Sequence, residues 1–189
     1  MAITSANRYL TRDEMEGNAE YIAQFFLGNG WTLSAVAAML GNMESESTIN
    51  PGIYENLNDI SGTAGFGLVQ WTPATKYTEW ADANGYGSDY GDIRGQVARI
   101  QYEMENGLQW IPTVTRDITF EEFAKSNASP EELAWAFLMN YERPANTNQP
   151  ERATQARAWF NYFENNPNAT VQKGMNKILL YFGGTHRRR

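Results

Sequence analysis

The chain has 189 residues, a 42% hydrophobic and 13% aromatic composition, a formal net charge of −7 and no cysteine. This length predicts one domain with a core large enough to fold without disulfides. The lack of cysteine excludes thiolate nucleophiles and thiolate metal sites. Because nucleic-acid binding depends on basic side chains, the negative charge argues against a nucleic-acid partner.

The hydropathy pattern argues against membrane insertion. No run approaches the roughly 18 apolar residues that a transmembrane helix needs, and residues 1–15 lack the charged and then apolar pattern of a secretory signal. The single histidine, His186, lies in the basic C-terminal stretch, so we expect no histidine-based metal site or triad. The groups that remain available for catalysis or binding are carboxylates, hydroxyls, amides and aromatic side chains.

The first elements in the chain are two predicted helices. Thr11 and Glu14 form a capping box that predicts a helix ending near residues 28–30. A second helix is predicted from about residue 32, and it must end before Pro51. Its apolar stripe has helical spacing and consists of Val36, Met39, Leu40 and Met43.

Residues 53–71 differ in character from the helices on either side. Glycines that interrupt any helix stand at Gly62, Gly65 and Gly67. The sequence GFGLVQW over residues 65–71 alternates strand-forming side chains, which predicts a small antiparallel hairpin or three-stranded sheet. One face of this strand would carry Phe66, Leu68 and Gln70.

Helix signals resume after this segment. Thr72 and Pro73 predict an N-cap followed by proline at the first helical position. Further helices are predicted to begin near Ile93, Thr119, Ser129 and Pro150. The pattern as a whole predicts a mostly helical α+β fold of six or seven short helices, with one small sheet segregated after the second helix.

The predicted domain covers residues 1–165. Residues 166–189 are predicted to be a linker and C-terminal tail, in which residues 171–182 could form an amphipathic helix that docks a partner.

Two carboxylates, Glu44 and Glu46, flank the apolar stripe near the end of the second helix. Such pairs are commonly solvated surface residues. Glu46 lies nearer the C-terminus, where the helix dipole disfavours a negative charge, and contact with Met43 would disfavour it further. Both effects favour the protonated form that a general acid needs, so Glu46 is the better candidate for an acid.

Three motifs in order give the chain a specific resemblance to a family: GNMESESTINPG, GFGLVQWTPA and YERPANTNQPER. Together, over about residues 8–163, they resemble the phage lysozyme domain of tail-associated, peptidoglycan-degrading proteins of small podoviruses, the phi29-like tail-knob proteins among them. The resemblance implies a lysozyme-like fold in which a small antiparallel sheet follows the catalytic helix.

The resemblance also implies site residues. It places the catalytic glutamate of the family on Glu46, as the dipole argument does, and it matches Gln70 and Trp71 to the glycan-facing strand. Gln70 offers both a donor and an acceptor to a sugar. Trp71 offers an apolar plate, although a core tryptophan is an equally good interpretation. Tyr141 is predicted to line the cleft opposite Glu46.

Glycosidases commonly use a second carboxylate. The candidates in the loop after the helix are Asp59, which precedes a glycine turn, and Glu55, nine positions after Glu46. Each could instead cap a turn or lie in solvent, and a single essential glutamate is also compatible with the superfamily. Farther along, Glu142 and Arg143 are predicted to form a structural ion pair.

The sequence therefore predicts a muramidase that cleaves the β-1,4 bond between N-acetylmuramic acid and N-acetylglucosamine without a metal or organic cofactor. A lytic transglycosylase and a non-catalytic glycan-binding or tail structural module are the alternatives. The expected partners are bacterial peptidoglycan and other phage tail proteins. The expected locations are the virion tail, or the host cytoplasm before holin-dependent release.

Overall fold

The computed structural model describes residues 2–58 and 60–170. Asp59 and the predicted tail helix over residues 171–182 lie outside this part of the chain. The predicted mostly helical architecture is confirmed: the described residues form seven α-helices, namely α1 (Arg12–Gly28), α2 (Leu33–Ser47), α3 (Thr75–Ala83), α4 (Ile93–Glu105), α5 (Phe120–Lys125), α6 (Pro130–Phe137) and α7 (Glu151–Asn165). A π-helix, Leu138–Glu142, continues α6, and a 3₁₀ turn, Pro167–Thr170, follows α7.

The predicted helix starts are largely correct because side-chain caps fix them locally. At α5 the Thr119 hydroxyl accepts from the backbone N–H of Glu122 at 3.1 Å, and the Glu122 carboxylate accepts from the backbone N–H of Thr119 at 2.8 Å. Ser129 and Glu132 repeat this reciprocal arrangement at the start of α6. Each box satisfies two backbone donors that a helix start leaves free.

The helix α2 lies at the centre of the fold. The sequence predicted an apolar stripe, but every residue from Ala35 to Met43 is buried, as in a helix enclosed on all sides. Gly41 makes this enclosure possible, because a Cβ there would lie 2.6 Å from both the Ala156 nitrogen and the Arg152 carbonyl oxygen of α7. The backbones of α2 and α7 therefore approach each other at Gly41.

The chain after α2 turns sharply and is held by buried amides. Thr48 and Ile49 both have left-handed backbone angles, with φ of 54° and 53°, which is rare for β-branched residues. The Asn18 amide donates to the Ile49 carbonyl at 2.8 Å. The Asn50 amide donates to the carbonyls of Ala6 and Arg8, each at 2.6 Å. The N-terminal segment and α1 thus fix the turn that follows Glu46.

The predicted small sheet is not found among the described residues, which between 51 and 74 form only isolated bridges, Tyr54 with Phe66 and Phe66 with Trp71. The GFGLVQW segment is a tight turn instead of a strand. Gln70 has a φ of 48°, and its backbone N–H donates to the Gly67 carbonyl at 3.2 Å. The alternating pattern that predicted a strand therefore belongs to a turn in which consecutive side chains are buried.

The glycines of this turn make room for glutamine side chains of the protein itself. A Cβ at Gly67 would lie 2.5 Å from Gln96 Oε1, and a Cβ at Gly65 would lie 2.8 Å from Gln70 Oε1. Gln96 Oε1 accepts from the Leu68 N–H at 2.8 Å, while its amide nitrogen donates to the Pro51 carbonyl at 2.6 Å. The Gln96 side chain of α4 therefore links the chain at Pro51 to the turn at Leu68.

One predicted helix start is wrong. Helix α3 begins at Thr75 with Ala74 as its N-cap, so Thr72 and Pro73 precede the helix instead of starting it. Regular α6 ends at Phe137, and Tyr141 lies in the π-helix.

Residues 167–170 pack on α1, where the Gln24 amide donates to the Ala169 carbonyl at 2.8 Å. None of the helices in the described ranges is long and apolar enough to cross a membrane.

Candidate active site

Glu46 lies in the last turn of α2, where the helix reaches the surface and Glu44, Ser45 and Glu46 are all at least partly exposed. Glu46 Oε1 accepts from Arg152 Nη2 at 2.5 Å. The Glu46 side chain is 20% exposed and the Arg152 side chain 6% exposed. The end of this buried helix therefore presents the Glu46 carboxylate partly to solvent, with its orientation fixed by a guanidinium from α7.

The Arg152 guanidinium has a full set of acceptors. Its Nε donates to Gln149 Oε1 at 2.6 Å, and its Nη1 donates to the side-chain and backbone oxygens of Asn42 at 3.2 and 3.4 Å. The Asn42 amide donates in turn to the carbonyls of Ala38 and Ala134 at 3.0 and 3.1 Å. A buried cation needs such partners, so this network fixes Arg152 beside Glu46.

Glu44 faces a different set of partners. Its Oε2 accepts from the indole nitrogen of the buried Trp159 at 2.7 Å, and Arg12 lies over the ring of Trp159 at 3.8 Å from its centroid. Glu44 is therefore part of the packing between α1, α2 and α7. This arrangement separates the two glutamates of the ESES sequence more clearly than the helical wheel does.

Glu142 is a carboxyl with one buried oxygen at the end of the π-helix, directly after Tyr141. Its Oε1 is fully enclosed and has no hydrogen-bond partner among the described residues. Burial and then the negative charge of Glu46 raise the pKa of Glu142 well above its ordinary value, although the charge of Arg152 opposes them. π-helical turns are frequent at functional sites.

The predicted ion pair between Glu142 and Arg143 is wrong. Arg143 has a left-handed backbone, with a φ of 52°, and its guanidinium donates to the carbonyls of Gln109 and Asn140. The side chains of Glu142 and Arg143 therefore serve different partners, although they are neighbours in sequence.

Trp71 and Tyr141, both predicted to contact substrate, meet at a buried carboxylate. Glu103, 1% exposed, accepts from the Trp71 indole at 3.1 Å, from the Tyr141 hydroxyl at 2.5 Å and from Arg99 Nε at 2.8 Å. Burial raises the pKa of Glu103, whereas Tyr141 and Arg99 lower it. Trp71 and Tyr141 are 3% and 1% exposed, so both rings hold the core in this conformation, and contact with substrate stays a prediction for them.

Gln70 is partly exposed and has an incomplete set of hydrogen bonds. Its amide nitrogen donates to the carbonyls of Gly67 and Ile53 at 2.9 and 3.4 Å. Its Oε1 has no partner among the described residues. Since an enclosed acceptor without a donor is unfavourable, Gln70 is the substrate-binding candidate with a polar atom still available.

The predicted second carboxylates are not brought together with Glu46 by any described contact. Glu55 is exposed, and its Oε2 accepts from the backbone N–H of Gly65 at 3.0 Å. Asp59 lies outside the described residues, so its role stays a prediction. No group of histidine, aspartate or glutamate side chains within residues 2–58 and 60–170 is arranged to hold a metal ion.

Sequence reasoning missed the polar residues around Glu46. Asn42 is a polar residue inside a buried helix, and such a residue needs partners. Arg152 and Gln149 both lie in the YERPANTNQPER motif, which therefore contributes through its last residues as well as through Tyr141 and Glu142. The separation of 106 positions between Glu46 and Arg152 hides the pair from any local pattern.

A family model described as phage tail lysozyme matches residues 17–163. The chain is also similar to Morphogenesis protein 1 of Bacillus phage B103, with 56% identity over 156 residues, which is 82% of this chain and 42% of that protein. The chain therefore spans about two fifths of the length of this curated relative. The matched region contains Glu46, Glu142 and Arg152, and the chain belongs to the phage tail lysozyme family.

Proposed function

We propose that this protein hydrolyses the glycan strands of bacterial peptidoglycan, at the β-1,4 bond between N-acetylmuramic acid and N-acetylglucosamine, with Glu46 as the proton donor. The observation that carries the proposal is the position of Glu46 in a chain of the phage tail lysozyme family. Glu46 is a partly exposed carboxyl at the end of a largely buried helix, and Arg152 orients it.

The contact with Arg152 has a chemical role in this proposal. A general acid that protonates the leaving oxygen is left with a negative charge. Arg152 Nη2, 2.5 Å from Glu46 Oε1, already lies where that charge develops. A preorganised partner of this kind stabilises the products of proton transfer without rearrangement.

The step after proton transfer needs a nucleophile at the oxocarbenium-like carbon. A water supplies it in a single-glutamate mechanism, and Asp59 or Glu55 would assist in a two-carboxylate mechanism. Glu55 is held by the Gly65 N–H, so it would have to leave that contact. Separate Asp59→Asn and Glu55→Gln variants test the two candidates, and near-normal turnover in both would favour the single-glutamate mechanism.

We propose that substrate binding uses the turn over residues 65–71, with Gln70 Oε1 accepting from a sugar hydroxyl or acetamido group. Both the protein, with its net charge of −7, and the cell wall are negative, so long-range steering gives no help. The relative in Bacillus phage B103 is named a morphogenesis protein, which supports a virion-tail location with other tail proteins as partners.

Mass spectrometry of purified Gram-positive cell walls after digestion tests the proposed reaction. The expected products carry reducing ends at N-acetylmuramic acid, and Glu46→Gln, the matched control, should release none. Products with 1,6-anhydro ends would identify a lytic transglycosylase. Binding to walls without any released fragment would identify a non-catalytic glycan-binding module.

A further inference from the structure

Glu103 is a charged residue in the core, at a point where three elements of the fold meet. It belongs to α4, and its side chain is 1% exposed. Its Oε1 accepts from the Trp71 indole at 3.1 Å and from Arg99 Nε at 2.8 Å, while its Oε2 accepts from the Tyr141 hydroxyl at 2.5 Å. The carboxylate therefore joins the turn over residues 65–71 to the π-helix.

Core stability alone does not explain a carboxylate at this position. Moving a charge out of water is costly, and apolar side chains of similar size often replace a buried ion pair without loss of stability. A carboxylate adds direction, because one of its oxygens accepts from the turn and the other from the π-helix. Glu103 therefore specifies the positions of the Trp71 and Tyr141 rings more narrowly than an apolar residue does.

The position of Trp71 decides the position of Gln70, the residue before it. The backbone of Trp71 closes the turn through two hydrogen bonds with Phe66, at 3.1 and 3.3 Å. Gln70 has a left-handed φ of 48°, and its Oε1 has no hydrogen-bond partner within the described ranges. With its ring fixed at Glu103 and its backbone fixed at Phe66, Trp71 sets the direction of the Gln70 side chain.

We propose that Glu103 is a positioning residue for glycan binding, which holds the Trp71 indole and thereby fixes Gln70 where its free oxygen meets the sugar. The inference rests on the proposed function and deepens it, since Gln70 is the residue that would accept from the glycan. Glu103 does not touch the substrate in this scheme; it acts through Trp71 and Gln70.

The division between KM and kcat is the first test. Soluble glycan strands, released from Gram-positive cell walls with an amidase, are the probe. Trp71→Phe retains an aromatic ring but removes the N–H that Glu103 accepts from. Misplacing one neutral hydrogen bond to the glycan should raise KM about fivefold and change kcat little, because Glu46 is held by Arg152 and not by the turn. An unchanged KM in folded Trp71→Phe would overturn the proposal.

A double variant tests whether the indole acts through Gln70. Gln70→Ala should raise KM by about the same factor as Trp71→Phe. Addition of Trp71→Phe to Gln70→Ala should change KM little further, because both substitutions remove the same contact with the glycan. Two effects that multiply would show that Trp71 acts independently of Gln70, and they would overturn the inference.

Trp31→Phe is the matched control for Trp71→Phe. Trp31 is 4% exposed, and its indole donates to Gln101 of the same helix, α4, at 3.0 Å. Its substitution should lower the melting temperature about as much as Trp71→Phe does, but it should leave KM unchanged. An equal rise of KM in both variants would assign the effect to loosened packing and would contradict a specific role for Glu103.

Substitution of Glu103 itself tests the other side of the contact. Glu103→Met removes both acceptors, so KM should rise at least as much as in Trp71→Phe. Glu103→Gln retains one oxygen that can accept from the Trp71 indole, so it should restore most of the natural KM. Equal KM values in the methionine and glutamine variants would overturn the proposal. If Glu103→Met does not fold, the Trp71→Phe and Gln70→Ala cycle decides the question.

Calorimetric titration of the same strands into Glu46→Gln measures binding without turnover. Trp71→Phe in this background should weaken binding about fivefold. The expected weakening in a protein whose natural form cleaves no strands would overturn the proposed hydrolysis alone. Cleavage by the natural protein, with binding that does not respond to Trp71→Phe, would overturn the inference alone. A protein that binds no strands would overturn both.

Discussion

The contact between α2 and α7 and the segment over residues 51–74 border the same site, but they satisfy their polar groups differently. At the helix contact, Arg152 has acceptors on Glu46, Gln149 and Asn42. In the segment, the pairing consists of isolated bridges, and Gln70 Oε1 lacks a donor. The comparison suggests that the helices fix the reacting carboxylate, whereas the segment keeps polar atoms for a substrate.

The two regions meet at one hydrogen bond. The Ser47 hydroxyl, in the last turn of α2, lies 2.9 Å from the Leu68 carbonyl and 3.0 Å from the Met43 carbonyl, so its single proton can be donated across to the segment. A functional group on a rigid element beside an irregular segment is a common arrangement of enzyme sites. If the comparison is correct, substitutions in the helical region should change rate or stability strongly, and substitution of the unsatisfied Gln70 in the segment should change binding.

The largest effect is expected at Glu46. Glu46→Gln should lower the rate of wall hydrolysis by about two to four orders of magnitude, because an amide cannot donate the proton of a general acid. The amide oxygen can still accept from Arg152, so far-ultraviolet circular dichroism should show an intact fold. Turbidity clearing with purified cell walls measures the rate.

Glu44→Gln is the matched control for this substitution, since its amide oxygen can still accept from the Trp159 indole. It should retain most of the activity. An equal loss in both variants, or full activity in Glu46→Gln, would show that the choice between these two glutamates is wrong.

The next effect tests the helical region through its backbone. Gly41→Ala places a Cβ 2.6 Å from the backbone of α7, so α7 must shift and carry Arg152 away from Glu46. We expect a free energy of unfolding lower by about 1–3 kcal/mol, together with a larger loss of activity than the stability change explains. Urea denaturation and wall turbidity measure the two effects.

Ser45→Ala, on the exposed side of the same helix, is the control for Gly41→Ala. Its hydroxyl donates to Gln155 at 2.7 Å, and loss of an exposed contact of this kind should change stability by less than about 0.5 kcal/mol. Normal activity in Gly41→Ala would show that the placement of Glu46 does not depend on the close approach of α2 and α7 at Gly41.

The sequence predicted the helical region better than the segment because the helical signals are local. The boxes at Thr119 and Ser129 involve residues three positions apart. The turn over residues 65–71 depends on Gln96, whose contacts reach residues 28 and 45 positions away. No residue pattern within the turn reveals those contacts, and alternating hydrophobicity suggested a strand.

The candidate site shows the same division. Glu46 was predicted from its place on one helix, whereas Arg152 is 106 residues away and depends on the approach of α7 at Gly41. The prediction that Glu142 pairs with Arg143 follows from the rule that charged side chains are rarely buried without a partner. The left-handed backbone of Arg143 directs that side chain elsewhere, and a residue pattern does not specify this angle.

Two substitutions in the segment sharpen the comparison further. Trp71→Ala should lower the free energy of unfolding by about 3–5 kcal/mol, as for a buried tryptophan, and should leave Glu103 with one donor fewer. Gln70→Ala should shift the melting temperature little, since the residue is partly exposed and its Oε1 makes no hydrogen bond, but it should weaken oligosaccharide binding. Thermal melts and titrations with chitooligosaccharides measure both effects. The reverse pattern, with Gln70 structural and Trp71 binding sugar, would assign the substrate contact to Trp71.

The smallest effect tests the helical region far from the site, at the start of α1. Glu14 accepts from Arg8 at 2.7 Å and from the Thr11 N–H at 2.9 Å. These contacts, with the Arg8 hydrogen bond the largest cause, lower the pKa of Glu14 from 4.5 to about 2. A lowered folded-state pKa stabilises the protein above the unfolded value, and this contribution is lost as the pH falls through the folded value. Glu14→Gln should therefore lower the melting temperature by about 1–2 °C near pH 7, and the difference should shrink between pH 4.5 and about 2.

Arg8→Ala removes the main partner of Glu14 and should produce a similar pH-dependent loss near pH 7. Because both substitutions break one exposed ion pair, the double variant should lose less than the sum of the two single losses. Melting curves recorded by circular dichroism from pH 2 to pH 7 provide all of these comparisons. A difference for Glu14→Gln that is as large at pH 2 as at pH 7 would assign the effect to the shape of the cap instead of to the charge of the carboxylate.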